Sequence, residues 1–177
     1  NVCKAIEQCP VQQVIYLSSD AVYAPEVSNV TEATVAAPID LYGAMHRTRE
    51  IMFQTTVKTG PLLILRLTLT FGAADTHNSY GPNRFRRSAH QQKKITLFGN
   101  GEEMRDHIFV EDVIEVIAAG LHHRSQGILN LATGKSYSFL EIAKKVASLF
   151  DYPVEIISTP RQSPITHRHY DVAPLYK

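Results

Sequence analysis

A serine, a tyrosine and a histidine occur in an order that allows them to share one pocket. Ser19 follows the apolar run 14–17, which is rich in β-forming residues and predicts a buried strand. Tyr42 and His46 are four residues apart in a predicted helix, so they lie on the same helical face. Because open α/β sheets bind their ligands at the carboxyl ends of the strands, the Ser19 hydroxyl can meet the Tyr42 phenol there. These groups can donate hydrogen bonds and transfer protons to a ligand.

The elements that must position these residues alternate along the chain. Apolar runs predict strands at 14–17, 62–67, 95–98, 107–110, 128–131 and 154–157. Caps and periodicity predict helices at 2–8, 40–58, 84–94, 111–121 and 138–150, the last opened by a capping box at Ser138 and Glu141. This alternation predicts an α/β fold with a parallel sheet and helices on its faces.

Composition excludes several classes of protein. A hydrophobic content of 44% with 20% charged residues indicates a folded globular chain rather than a disordered one. A net charge of +1 gives no argument for binding nucleic acid or an anionic membrane. No apolar run reaches the roughly 18 residues of a membrane span. Cys3 and Cys9 have no second pair with which to bind zinc, and residues 1–4 lack a signal peptide's layout. We therefore expect a cytoplasmic protein without a metal site.

A glycine-rich phosphate loop is missing from the pattern. Open α/β sheets that bind a dinucleotide carry such a loop after the first strand, with the spacing G-x-G-x-x-G. The sequence contains no such spacing. Gly99-Asn100-Gly101 cannot replace the loop, because no third glycine follows to open a helix.

Eight short segments resemble the extended short-chain dehydrogenase/reductase family, in its branch of NAD-dependent nucleotide-sugar epimerases and dehydratases. They are VIYLSSDAVY at 14–23, DLYG at 40–43, LR at 65–66, FG at 71–72, NSYGPNR at 78–84, GNGEEMRD at 99–106, EDV at 111–113 and NLATG at 130–134. The resemblance implies that the chain is the C-terminal portion of such a protein. Residues 1–72 and 104–130 would form the second half of a Rossmann-type doubly wound sheet, without its Gly-rich half. Residues 73–103 and 131–177 would form a small α/β substrate-binding lobe.

The resemblance also implies roles for the residues at the predicted strand end. Ser19 would hydrogen-bond the reacting sugar oxygen, and Tyr42 would act as the base while hydride moves to NAD or NADP. His46 stands where the family has a lysine that binds the cofactor ribose, and Leu67 stands where the family usually has a proline, beside the cofactor. Tyr42, His46 and Leu67 are therefore the expected cofactor-binding residues.

A second group of residues is expected to bind the nucleotide sugar. By the same resemblance, Thr96 and Phe98 would pack on the nucleoside and Arg105 would bind the diphosphate, which a guanidinium can contact with two donors. Arg168 is either a second phosphate ligand or the partner of Asp171. The expected partner of the protein is thus a nucleotide sugar.

Four departures from the family weaken the expected chemistry, and Leu67 in place of the usual proline is one of them. To act near neutral pH, Tyr42 must lose about 3 pKa units, and a lysine cation favours this, whereas histidine is mostly neutral at pH 7. Leu69 replaces a substrate-binding asparagine. Asp20 matches the acid of the sugar dehydratases, but Ala21 replaces their glutamate. The second hypothesis is therefore an inactive relative that binds nucleotide sugar or serves as an interaction module.

Two further expectations concern partners. The basic residues between Arg84 and Lys94 raise the hypothesis of an RNA-binding descendant of the fold, but a solvated helix face explains them, so no nucleic acid is expected. A half-sheet with an unpaired edge predicts a homo-oligomer, which light scattering would detect.

Overall fold

The structure is a computed structural model that describes residues 2–9 and 11–176, so the ends of the predicted ranges 1–72 and 131–177 lie outside the described residues. Its helices are α1 (Val2–Gln8), α2 (Leu41–Thr56), α3 (Pro82–Gln92), α4 (Val110–His122) and α5 (Phe139–Ala147). Its strands are β1 (Val14–Ser19), β2 (Asn29–Val30), β3 (Leu62–Leu67), β4 (Leu69–Phe71), β5 (Lys94–Phe98), β6 (Met104–Phe109), β7 (Gly127–Leu131), β8 (Ser136–Ser138), β9 (Glu155–Thr159) and β10 (His169–Tyr170).

Three parallel strands form the sheet that carries the predicted site, in the order β1-β3-β7. Successive side chains of a strand point to opposite faces. On one face, Tyr16 and Arg66 contact α2. On the other, Leu63 and Leu65 pack with Val113 of α4. Both faces are covered by helices, which confirms the predicted α/β fold with a parallel sheet.

A second apolar core lies between α3, α5 and the parallel pair β5–β9. Phe85 and Phe139 stack there edge to face, with ring centroids 6.3 Å apart, over the buried Leu97. The core belongs to segments that the sequence assigns to the substrate-binding lobe. The division into two domains stays a prediction.

Two element boundaries differ from the sequence-based prediction by three residues. Strand β6 begins at Met104 rather than at 107, because Met104–Asp106 pair antiparallel with β8, a strand that the sequence did not predict. Helix α5 ends at Ala147 rather than at 150. The capping box at its start is confirmed, since Ser138 Oγ accepts from the Glu141 amide and the Glu141 carboxylate accepts from the Ser138 amide.

Membrane-spanning helices and metal-binding clusters are both absent from residues 2–9 and 11–176. None of the helices in this part of the chain has the length and apolar character needed to cross a bilayer. The same residues contain no group of three His, Cys, Asp or Glu side chains arranged to hold a metal ion.

Candidate functional site

The carboxyl edge of the sheet places Ser19 beside Leu67. Ser19 is the last residue of β1 and is paired in register with Leu67, the last residue of β3. The Ser19 side chain is almost buried, and its Oγ accepts a hydrogen bond of 3.2 Å from the Ala21 amide at the start of a short turn. The strand end is therefore followed at once by a tight turn that holds the serine hydroxyl in place.

Helix α2 packs its first turn directly on that turn. The helix begins at Leu41 because the Asp40 carboxylate accepts a hydrogen bond of 2.7 Å from the Gly43 amide. A Cβ atom at Gly43 would overlap the carbonyl oxygen of Ala21, so only glycine allows this approach. Tyr42, on the same turn of the helix, is 60% exposed at the edge of the sheet.

His46 lies one helical turn beyond Tyr42, as predicted from their spacing. The two ring centroids are 4.6 Å apart with the rings at 70°. The hydroxyl of Tyr16 lies 3.0 Å from Nδ1 of His46. Burial lowers the pKa of His46 below its ordinary value of 6.5, and the charge of Arg49 lowers it further against the opposing effect of Glu50. His46 is therefore mostly uncharged at neutral pH.

A buried polar network joins α2 to the sheet beneath the site. Glu50 is fully buried, and its carboxylate accepts hydrogen bonds of 2.9 and 2.7 Å from Arg66 and of 2.6 Å from Ser18. Arg66 also donates to the Tyr23 hydroxyl, which donates to Asn130. Burial opposes ionisation of Glu50, but the hydrogen bonds from Arg66 and Ser18 keep its pKa below the ordinary value.

Sequence reasoning did not find this network as a set of partners. The available signals were an arginine inside the apolar strand β3 and an acid four residues after His46. Because side chains four residues apart share a helical face, the acid was on the face that packs on the sheet.

The predicted nucleoside contacts lie on the outer face of β5. Thr96 and Phe98 are exposed, whereas the alternating Ile95 and Leu97 are buried in the second core. The Phe98 ring lies 4.8 Å from that of Tyr80, whose hydroxyl accepts a hydrogen bond from the Phe98 amide. These side chains form an aromatic surface at the end of the strand.

Two guanidinium groups meet at one carboxylate beside this surface. Arg105 donates to the carbonyl oxygen of Thr166 at 2.6 Å and to its hydroxyl at 2.7 Å, and its Nη2 lies 3.4 Å from Glu103. Arg161 lies 3.2 Å from the other oxygen of Glu103 and donates to the carbonyl oxygen of Phe98 at 3.1 Å. Sequence reasoning missed Arg161, which lies in a loop without a local motif.

Arg168 lies with the loop that follows Ser19. It is 7% exposed, and its guanidinium donates to the carbonyl oxygens of Asp20 and Ala24 at 2.9 and 2.8 Å. Its carboxylate partner is Asp20, at 3.5 Å, rather than Asp171. The hydroxyl of Tyr170 also donates to Asp20, at 2.6 Å. Arg168 and Tyr170 of the C-terminal segment thus both bind Asp20, the residue that follows Ser19.

The fold and the site together define a class of protein. A parallel sheet covered by helices on both faces is typical of α/β proteins that bind their ligands at the carboxyl edge, where Ser19 lies in this chain. The model of the NAD dependent epimerase/dehydratase family matches residues 1–132. The chain belongs to this family.

Individual relatives are similar over most of this chain but over only part of their own length. An uncharacterized UDP-glucose epimerase, YtcB of Bacillus subtilis (strain 168), is 24% identical over 153 residues, which are 84% of this chain and 48% of the relative. This chain thus spans about half the length of that curated relative.

Solved structures show the same fold. The UDP-N-acetylglucosamine 4-epimerase of Methanobrevibacter ruminantium M1, in complex with UDP-N-acetylmuramic acid, is 22% identical with a TM-score of 0.88, over 98% of this chain and 58% of its own. The UDP-glucose 4-epimerase of Thermus thermophilus, in complex with NAD, is 20% identical with a TM-score of 0.82, over 99% of this chain and 60% of its own.

Proposed function

We propose that this chain forms the catalytic and substrate-binding part of an NAD(P)-dependent nucleotide-sugar epimerase. The observation that carries the proposal is the position of Ser19 at the carboxyl end of β1, with the α2 turn that holds Tyr42 packed on the residues after it. Ser19 would hydrogen-bond the sugar oxygen at the reacting carbon, and Tyr42 would remove the proton from that oxygen. The similarity to the epimerases named above supports the reaction class, and the roles of Ser19 and Tyr42 are part of the proposal.

The residues at this edge fit the nicotinamide end of NAD or NADP. Tyr42 is 60% exposed, and Leu67 lies in register beside Ser19. Within the described residues, Nε2 of His46 has no hydrogen-bond partner, whereas its Nδ1 is bonded to Tyr16. When bound, the nicotinamide supplies the hydride acceptor. Tyr42, His46 and Leu67 would hold its ribose and ring, and we assign no residue to the pyrophosphate because the sequence lacks a Gly-rich loop.

The contacts of Asp20 favour an epimerase over a dehydratase. Elimination of water needs an acid that protonates the leaving hydroxyl, whereas epimerisation has no leaving group and needs only the removal and return of a hydride and of the proton that Tyr42 takes from the sugar hydroxyl. The Asp20 carboxylate is already engaged by Tyr170 at 2.6 Å and by Arg168 at 3.5 Å. Ala21 supplies no second carboxyl. The turn after Ser19 therefore offers no free acid for a dehydration.

The arginine pair fits the diphosphate of a nucleotide sugar. Arg105 and Arg161 are held on opposite oxygens of Glu103, so two guanidinium groups face one small region. Guanidinium groups bind phosphate oxygens with two parallel donors. Phe98 and Thr96 lie exposed on the nearby strand, where a nucleoside could pack. We propose that UDP-sugars bind across these residues.

Uncharged His46 favours a second candidate, a relative that binds nucleotide sugar without catalysis. Calorimetric titration of the chain with NAD⁺ and then with UDP-glucose separates the two. Binding of both ligands supports the enzyme, and binding of UDP-glucose alone supports the binding module. Binding of neither would overturn both proposals.

Replacing Arg161 by glutamine is expected to weaken UDP-glucose binding by about 10-fold to 100-fold, which is the range for hydrogen bonds to charged groups. Arg105→Gln should have a similar effect, since both guanidinium groups face the same region. Calorimetry measures the change directly. The exposed Arg86 of α3 provides a matched control, because Arg86→Gln removes the same charge from a solvated helix face. Equal affinities for the Arg161 and Arg86 variants would contradict the proposed diphosphate site.

Replacing His46 by lysine is expected to raise the rate of NAD⁺ reduction by UDP-glucose at pH 7 by about tenfold, which corresponds to about 1.4 kcal/mol of stabilisation of the Tyr42 phenolate by the cation. The physical reason is that lysine supplies the charge that uncharged His46 lacks. The pH optimum should move to lower pH, as followed by absorbance of the reduced cofactor. The same substitution at the exposed His90 is the control. An unchanged optimum would mean that position 46 does not act on Tyr42.

A further inference from the structure

Tyr16 of the sheet contacts His46 of α2 through its phenol hydroxyl. Tyr16 projects from β1 toward α2, its hydroxyl lies 3.0 Å from Nδ1 of His46, and its ring packs on Phe53 with centroids 5.0 Å apart. Tyr42 flanks the imidazole from the side of the candidate site. The two nitrogens of His46 therefore lie in different surroundings, one bonded to the sheet and the other without a partner in the described part of the chain.

The direction of the Tyr16–His46 hydrogen bond follows from the surrounding charges. Burial raises the pKa of the Tyr16 hydroxyl, so it keeps its proton at neutral pH although Arg49 acts in the opposite direction. Arg49, whose charge also acts on this hydroxyl, has only donors, so it cannot accept the phenol proton. Nδ1 of His46 is the acceptor that the structure places within reach of that proton among the described residues, at 3.0 Å.

A neutral imidazole carries one proton, on either Nδ1 or Nε2. Burial and Arg49 keep His46 neutral, with Glu50 as the opposing group on the same helix. If Nδ1 accepts from Tyr16, the proton must lie on Nε2. The hydrogen bond made by one ring nitrogen thus determines what the other can offer.

We propose that Tyr16 is a positioning residue that donates to Nδ1 of His46 and fixes the imidazole as the Nε2–H tautomer. Position 46 then presents one uncharged, oriented donor beside Tyr42. Its use rests on the proposed function, in which this donor would hydrogen-bond the Tyr42 phenolate or a ribose hydroxyl. A neutral donor can orient such a group, but it does not stabilise a phenolate as a cation does.

Long-range proton–nitrogen correlation spectra of the isotope-labelled chain at neutral pH test the tautomer directly, with His46 assigned by its absence in His46→Gln. The wild-type spectrum should show Nε2 protonated and Nδ1 as a bare acceptor. Tyr16→Phe keeps the ring on Phe53 and removes only the hydroxyl. It should shift the tautomer ratio toward Nδ1–H by about fivefold or more, the effect of one hydrogen bond. Tyr152→Phe, whose hydroxyl bonds the distant Ala89 carbonyl, should leave His46 unchanged.

Two results would overturn the proposal. One is a wild-type His46 that is protonated on Nδ1 at neutral pH, which needs no variant to detect. The other is a Tyr16→Phe spectrum with the same tautomer ratio as the wild type. The spectra are recorded without cofactor or substrate. Failure of the chain to bind NAD⁺ or UDP-glucose would therefore contradict the proposed function but would not affect the tautomer measured for His46.

Discussion

Replacing Glu50 by alanine is expected to lower the free energy of unfolding by about 3–5 kcal/mol, the range for breaking a buried ion pair from one side. Glu50 is fully buried, and Arg66, 2% exposed, directs two nitrogens at its carboxylate. Without the carboxylate, a guanidinium charge remains in the interior, bonded to the Tyr23 hydroxyl but no longer paired with an anion. Urea unfolding of the wild type and the variant measures the difference.

Two controls separate the effect of an unpaired charge in the interior from the effect of removing side-chain contacts of α2. Arg47→Ala removes another ion pair of the same carboxylate, at 3.0 Å, but the Arg47 side chain is 33% exposed. Exposed pairs contribute about 0–1 kcal/mol, so this loss should be small. The double replacement Glu50→Leu with Arg66→Leu leaves no unpaired charge and should cost much less than Glu50→Ala alone. Equal losses for the single and double variants would mean that the charge is not the cause.

Replacing His107 by phenylalanine is expected to reduce the loss of stability between pH 7 and pH 4 by about 3 kcal/mol. His107 is 8% exposed, and burial lowers its pKa from 6.5 to about 4. Between pH 6.5 and about pH 4, His107 is protonated in the unfolded chain but stays neutral in the native chain. Stability contributed by His107 is therefore present at neutral pH and is lost as the pH falls from 6.5 toward 4. Phenylalanine has no proton to bind and removes this contribution.

The contacts of His107 explain both the shift and the choice of replacement. Its Nδ1 donates to the Arg105 carbonyl at 3.2 Å, its Nε2 is buried without a partner among the described residues, and its ring lies against Phe139. Phenylalanine keeps the ring contact but loses one hydrogen bond, at a cost of about 1 kcal/mol at pH 7. Urea unfolding at both pH values tests the prediction, with His90→Gln on the exposed face of α3 as the control. If the variant lost as much stability between pH 7 and pH 4 as the wild type, the loss could not be attributed to His107.

The sequence by itself determined the helices and the longer strands, but not the short strands β2, β4, β8 and β10, and it determined the edge of the sheet at which Ser19 lies. The apolar runs before Ser19 and up to Leu67 are parallel strands, and Asp40 caps the helix that carries Tyr42 and His46. The predicted burial is confirmed for β3 but not for the run 14–17, because β1 is an edge strand of the described sheet and its Leu17 is 44% exposed. These features are local, because residues only a few positions apart determine the periodicity of strands and helices and the positions of caps and turns. The family segments were likewise local, and the match of the family model to residues 1–132 confirms the family that they indicated.

The tertiary structure alone decided which polar side chains are partners. Arg66 forms an ion pair with Glu50. Arg168 forms one with Asp20, near the other end of the chain, rather than with its neighbour Asp171. Tyr16 and His46, 30 residues apart, meet because β1 and α2 pack face to face. A charged or polar side chain buried by packing must find a partner within reach in space. Which partner is within reach depends on how distant segments pack, and no local pattern of residues records that.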